Sequence, residues 1–142
     1  MNSRLNTDHF FSIILALATF SISLPLQAQT DGQTIFVPVV LSAPGMNGSF
    51  FTSEMTMTHR GTQTASMNFT YTAAFGEGSG TGTDILTPGQ QRIVPDAIAY
   101  LRSIGIPIPV AGGQGGTLSI SFSGLSSPAD VAVTVRTTTA VD

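Results

Sequence analysis

The chain of 142 residues contains no cysteine and no tryptophan. Its basic residues are all arginine, so lysine is missing as well. Without cysteine there are no disulfides, no thiolate zinc site, no thiol nucleophile and no lipid-bearing cysteine at a processed N-terminus. Without tryptophan the usual aromatic platform for sugars is gone, and only phenylalanine and tyrosine remain for that work. Charge is scarce: charged residues make up 9% of the chain and the formal net charge is −3. No basic patch is present to serve nucleic acid or an anionic membrane surface, so neither is expected as a partner.

The first 28 residues set the compartment. Arg4 stands near the start, residues 10–24 form a nearly unbroken apolar run, Pro25 follows, and Leu26-Gln27-Ala28 places a small residue before a cut. That order is the layout of a helical secretory signal peptide over 1–28, cleaved after Ala28. A membrane-spanning helix needs about 20 apolar residues; this run is shorter and is interrupted by Ser12, Thr19, Ser21 and Ser23. Residues 29–142 are therefore expected outside the cytoplasm, secreted, extracellular or periplasmic, with no membrane attachment after cleavage. That length suits one domain.

Period-two alternation dominates the remainder. Residues 34–42 read as a strand in which Pro38 marks an edge or a bulge. Phe50–His59 sets Phe51, Met55 and Met57 on one face and Thr52, Glu54, Thr56 and Thr58 on the other. Ala65–Phe75 sets Ala65, Met67, Phe69, Tyr71, Ala73 and Phe75 against Ser66, Asn68, Thr70 and Thr72. Joined by a short link containing Gly61, these two runs predict an antiparallel hairpin. The glycine-rich stretches 76–82 and 112–116 read as flexible loops. Short strands at 83–86 and Gln91–Val94 flank Thr87-Pro88-Gly89-Gln90, whose Pro-Gly centre suits a type II turn.

Residues 96–104 form the one convincing helical pattern, with Ala97, Ile98, Leu101 and Ile104 on one face, Asp96 at its start and Gly105 at its end. So short a helix must dock on a sheet to persist. Residues 106–109, with two prolines, should run extended. Leu118, Ile120 and Phe122 point inward from a strand at 117–123; Val131, Val133 and Val135 do so from a last strand, with Ala132, Thr134 and Arg136 outward. Six to eight short strands separated by turn signals predict an all-β, antiparallel β-sandwich with one short helix. Outward positions are filled by threonine, serine, asparagine and glutamine, which suits a solvated sheet face.

Reactive constellations are sparse. His59 is the single histidine after the leader. A Ser-His-Asp set is formally available, yet no Gly-x-Ser-x-Gly elbow sits between a strand and a helix, and His59 reads as a strand-end residue beside a turn. Glu77, Asp84 and the carbonyls of 76–82 offer oxygens to calcium, but their spacing matches no EF-hand loop. The glycine string has no following lysine and is no phosphate cradle. Asp84 and Asp96 are the nearest pair of acids, and Asp96 reads better as a helix cap. Arg92 and Arg136 are expected on outer strand faces, where they solubilise and discourage edge pairing. Asn47-Gly48-Ser49 and Asn68-Phe69-Thr70 match the glycosylation sequon. Phe50, Tyr71, Phe75 and Tyr100 are the aromatic candidates for contact with a ligand. No catalytic residue, cofactor-binding residue, metal ligand or cofactor is expected.

Three stretches of the chain carry a resemblance: VPVVLSAPGMNGSFFTSEMTMTHRGTQTASMNFTYTA, LTPGQQRIVPDAIAYL and GGTLSISFSGLSSPADVAVTVRTTT. They resemble an immunoglobulin-like module of bacterial secreted and cell-surface proteins. The likeness covers nearly all of 29–142 and departs at His59-Arg60-Gly61, where asparagine followed by a small residue is usual. It implies an immunoglobulin-like sandwich and no catalytic residues; fold alone does not fix activity. The expectation is a non-catalytic, secreted or surface-exposed structural or adhesion module. Its partners would be neighbouring modules joined by β-augmentation, or a surface protein or glycan. A carbohydrate- or small-ligand-binding module is the alternative. A small enzyme or inhibitor would require His59 beside a serine and an acid.

Overall fold

The computed structural model describes residues 32–140, so the expected leader at 1–28 lies outside the described residues. Seven strands and one α-helix follow in the order β1 (Gln33–Pro44), β2 (Phe50–His59), β3 (Ala65–Phe75), β4 (Gly80–Leu86), β5 (Gln91–Val94), α1 (Ala97–Ser103), β6 (Gln114–Ser123) and β7 (Val131–Ala140). The architecture is mostly antiparallel β-sheet, as the alternation requires. The strands hydrogen-bond in the order β4-β3-β6-β1-β2-β5, with β7 also on β2. Because residues of β2 pair with β7 and with β1 or β5 at the same positions, β7 lies on the opposite edge of β2 from those two.

The sheet has two halves, β4-β3-β6-β1 and β5-β2-β7, and β1 belongs to both. Along most of its length β1 pairs with β6; at Ser42, Ala43 and Pro44 it pairs with β2. The change of partner needs a break in the strand, and Pro38, which cannot donate to a ladder, supplies it: the register with β6 shifts between Val37 and Val40. Beyond the bulge the Leu41 N–H donates to the hydroxyl of Ser53 on β2, 2.9 Å away. Ser53 is fully buried, and this bond meets its polar group inside the core.

Each half buries one face. Met67, Phe69 and Tyr71 of β3 with Leu118, Ile120 and Phe122 of β6 share one core with Met55 and Met57 of β2. The helix closes that core with Ala97, Ile98 and Leu101. Asp96 caps it by accepting the Ala99 N–H at 2.9 Å, and Gly105, at φ 97°, ends it. The apolar positions read as inward at Met55, Met57, Met67, Phe69, Leu118, Ile120 and Phe122 are all buried.

The expected hairpin between 50–59 and 65–75 is not formed. β2 pairs with β1, β5 and β7, whereas β3 pairs with β4 and β6. The link after His59 is an arch that carries the chain across the core from one half to the other. Alternation reports that each strand has one buried face; it does not say which strand lies beside which. The turn at Thr87–Gln90 is closed by the Gln90 N–H on the Thr87 carbonyl at 3.1 Å, with Gly89 at φ 71°. It too joins strands of different halves, since β4 pairs with β3 and β5 with β2.

Phe51 and Phe75, read as inward, are exposed: Phe51 lies near the start of β2, and Phe75 ends β3 beyond a register shift with β6 that follows Ala73. The supposed loop 112–116 already contains the start of β6, and 76–82 the start of β4. Gly116 is buried in β6 where an added Cβ would lie 2.1 Å from the Thr72 carbonyl oxygen. Glycine serves close strand approach there, and its composition imitates a flexible loop.

Candidate functional site

The margin between β4 and β5 gathers a polar cluster of Arg92, Asp84 and Tyr100. Arg92 stands opposite Met57 in the β2–β5 register, on the inward face. That placement corrects the expectation of an outer-face arginine. Its guanidinium reaches across to β4, where Nη1 pairs with Asp84 Oδ2 at 2.5 Å and Nη2 donates to the Ile85 carbonyl at 2.9 Å. The Tyr100 hydroxyl of α1 donates to the same Asp84 oxygen at 2.6 Å and accepts from Arg92 Nη1 at 3.2 Å. One clasp thus ties β4, β5 and α1 together, and the Tyr100 ring packs edge-on against Phe69 with centroids 5.7 Å apart.

The clasp shifts both acids in it. Burial pushes the Tyr100 hydroxyl well up, and its hydrogen bond to the Asp84 carboxylate pushes it further. Burial alone would raise Asp84; hydrogen bonds from Tyr100 and the Ile85 N–H, together with Arg92, outweigh it and hold the carboxyl below its ordinary value. Asp84 is therefore committed as an acceptor, not poised as an acid or open to a cation.

The other candidates are also tied to the framework. His59 is buried at the end of β2; Nε2–H donates to the Gln63 carbonyl at 2.5 Å, and Nδ1 accepts the Gly61 N–H at 3.2 Å. Nδ1 also lies 3.3 Å from the Asp130 carbonyl, so the recorded partners of the imidazole are backbone groups of the arch and of Asp130. Asp96 caps α1 and accepts the Ser42 hydroxyl at 3.2 Å, so it does not face Asp84. Gln114, buried, accepts the Glu77 N–H and donates to the Ala111 carbonyl, tying together the two glycine-rich segments. Arg136 lies outward as expected and forms a two-pronged pair with Glu54, its register partner, at 2.8 and 3.0 Å. Tyr71 is buried and its hydroxyl has no partner; Phe50 and Phe75 are exposed. No group of three or more histidine, aspartate or glutamate side chains among the described residues is placed to hold a metal ion.

Two grooves remain. One, of about 600 Å³, lies on the outer face of β4-β3-β6 and is lined in part by Ser66, Asn68, Thr83, Ile85, Ser121 and Ser123. The register aligns Thr83, Asn68, Ser121 and Thr34 in one row across four strands, and Ile85, Ser66 and Ser123 in the next. The second, of about 340 Å³, runs between β1 and β7, with Ile35, Phe36, Val37, Pro38 and Val39 facing Val133, Val135 and Thr137. Its walls carry no charged side chain. Sequence reading missed both, because each is created by strand order, which the alternation leaves open. No family model, curated protein or solved structure matches the chain.

Proposed function

We propose that the chain is a non-catalytic structural or adhesion module, secreted or held at a cell surface, with the two-layer build of an immunoglobulin-like sandwich. The single observation that carries this reading is how the chain spends its polar groups. His59, Asp84, Arg92, Asp96 and Tyr100 are engaged in holding strands, arch and helix together. The outer face of β4-β3-β6 carries hydroxyls and amides beside the exposed Ile85. The leader at 1–28 supports export. The likeness to immunoglobulin domains is one of layers, not of strand order: in the constant type the first strand lies beside the second along one sheet, whereas β1 here runs mainly beside β6.

Two measurements test the reading. Expressed with residues 1–28, the chain is expected outside the cytoplasm with an N-terminus at Gln29; expressed without them, it should stay inside. The exported protein should show no turnover on a panel of ester, peptide and glycoside substrates. Activity abolished by a single substitution at His59 or Asp84 that leaves the fold intact would contradict it.

The outer groove favours a second reading, a module that binds neutral glycans. Its unpaired Ser66, Asn68 and Ser123 side chains offer donors and acceptors without charge beside the apolar Ile85. A glycan array read with wild type and Asn68→Ala tests it, and a blank array with folded wild type removes it.

A further inference from the structure

Beyond residue 28 the chain has two asparagines, Asn47 and Asn68, and the fold places them differently. Asn68 lies in the middle of β3, between the ladders to β4 and β6, and is followed by the bulky, fully buried Phe69. Asn47 stands at the tip of the link between β1 and β2 and is followed by Gly48. There the Ser49 N–H donates to the Met46 carbonyl at 3.2 Å, with Asn47 at φ 56° and Gly48 at φ 78°. Positive φ at both central residues is the mark of a type I′ turn, for which Asn-Gly is the preferred pair. Below the tip the Gly45 N–H donates to the Ser49 carbonyl at 2.8 Å, and the pairing of β1 with β2 starts at Pro44 and Phe50.

The tip is open to solvent. Asn47 and Gly48 are both exposed, and the Asn47 side-chain amide has no hydrogen-bond partner among the described residues. Beyond its chain neighbours, no atom lies within 4 Å of where a Cβ on Gly48 would stand. The backbone nitrogen of Gly48 is thus shielded neither by a side chain of its own nor by a packed neighbour. Attack on Asn47 needs the ψ of that residue to turn away from 37°, and the unpacked tip leaves it free to do so. The nitrogen loses its proton to base and bonds to Asn47 Cγ. The Cγ–Nδ2 bond breaks, and Nδ2 leaves as ammonia with a proton from water. Because both groups belong to one chain, the step needs no encounter between molecules. Water then opens the cyclic imide at either carbonyl. Opening at Cγ gives aspartate; opening at the main-chain carbonyl gives isoaspartate, whose backbone runs through the former side chain.

We propose that Asn47 is a site of spontaneous covalent modification, converted to isoaspartate and aspartate in the folded protein, and that the isoaspartate loosens the joint between the two half-sheets. In the strand order, the pairing of β1 with β2 is the one link between β4-β3-β6 and β5-β2. That pairing is confined to Ser42, Ala43 and Pro44 opposite Thr52, Phe51 and Phe50. Its turn is the one that the reaction alters. Isoaspartate adds a methylene and a rotatable bond to the ring closed by the Met46 carbonyl and the Ser49 N–H. The twist that a type I′ turn shares with its strands is then lost, and more chain entropy must be given up to close it. Both products also add a carboxylate to a chain in which charge is scarce.

The test is peptide mass spectrometry of the purified, folded chain aged at mildly alkaline pH. Wild type is expected to exchange –NH2 for –OH at Asn47 roughly tenfold or more faster than at Asn68. Gly48→Ala, whose methyl group hinders the attack, should slow the loss by roughly tenfold. Asn47→Gly keeps a residue suited to positive φ and has no amide, so it should age without change at this turn. Circular dichroism should show the same strand content in all three. An Asn47 that keeps its amide as long as Asn68 overturns the proposal. So does a folded chain that holds Asn47 intact while the urea-unfolded chain loses it at the same pH, because the turn then shields the amide. Gly48→Ala reacting at the wild-type rate also overturns it, since attack by residue 48 would not be the route. The isoaspartate form, separated by anion exchange, should unfold at lower urea than the unaged chain; equal midpoints would overturn the loosening of the joint.

Discussion

At the β4/β5 margin, the folded sheet is shut by a helix and a partly exposed polar clasp; at the β1/β7 margin, half-exposed aliphatic side chains line a groove. Arg92, Asp84 and Tyr100 supply two strands and α1 with mutual, charge-assisted hydrogen bonds on one side. Ile35, Val37, Val133 and Val135 face a groove on the other. The same core lies behind both. The difference teaches that closing the sheet is a separate task from filling it: alternating strands supply the core, and specific residues outside the alternation decide which margin is sealed. A sealed margin stabilises; an open one remains available to a partner.

The contrast is sharpest in core substitutions at the two margins. Leu101→Ala removes a fully buried side chain from the face of α1 that closes the sealed side. It should cost about 2–5 kcal/mol in urea denaturation. Val133→Ala, at the half-buried rim of the open side, should cost about 1 kcal/mol or less in the same assay. Equal losses at the two positions would break the comparison.

Asp84→Asn lies between them in effect. It keeps an acceptor for Tyr100 but discharges the pair with Arg92, and should cost about 1 kcal/mol at neutral pH, since the pair is partly solvated. Its signature is the pH dependence. The native carboxyl sits below its ordinary value of 3.8, so its contribution is complete above that pH and is lost as pH falls through the lower native value. Stability measured across the acid range should therefore fall less steeply in the Asn variant than in wild type.

Much of this fold can be read from the residues alone, and the reasons are local. The inward sets Met55–Met57, Met67–Phe69–Tyr71 and Leu118–Ile120–Phe122 follow from period two; α1 follows from its 3.6-residue spacing and the Asp96 cap; the bulge follows from Pro38. What failed was pairing. The link after His59 looks like a hairpin because two alternating runs meet at a glycine. Its outcome is decided by a buried imidazole that bonds the arch backbone, a detail with no periodic trace. Arg92 reads as outward for the same reason: a four-residue strand between prolines gives too few positions to fix its face, and the partner that draws it inward, Asp84, lies on another strand. The site residues are thus visible as residue types, while their meeting at one margin is a product of topology.

The sealed margin is tested most directly by its tyrosine. The chain has two tyrosines, and burial raises both, Tyr100 further through its bond to the Asp84 carboxylate. A raised native value means that the neutral phenol stabilises the fold below the ordinary value of 10 and that this contribution is lost as pH rises beyond it. Ultraviolet absorbance of the phenolate, followed as native protein is titrated alkaline, should show no tyrosine ionising near pH 10, and both ionising together when the fold gives way at higher pH. A tyrosine titrating reversibly near pH 10 in folded Tyr71→Phe protein, where Tyr100 is the single tyrosine left, would show that the Tyr100 hydroxyl is free and that the clasp does not seal the sheet.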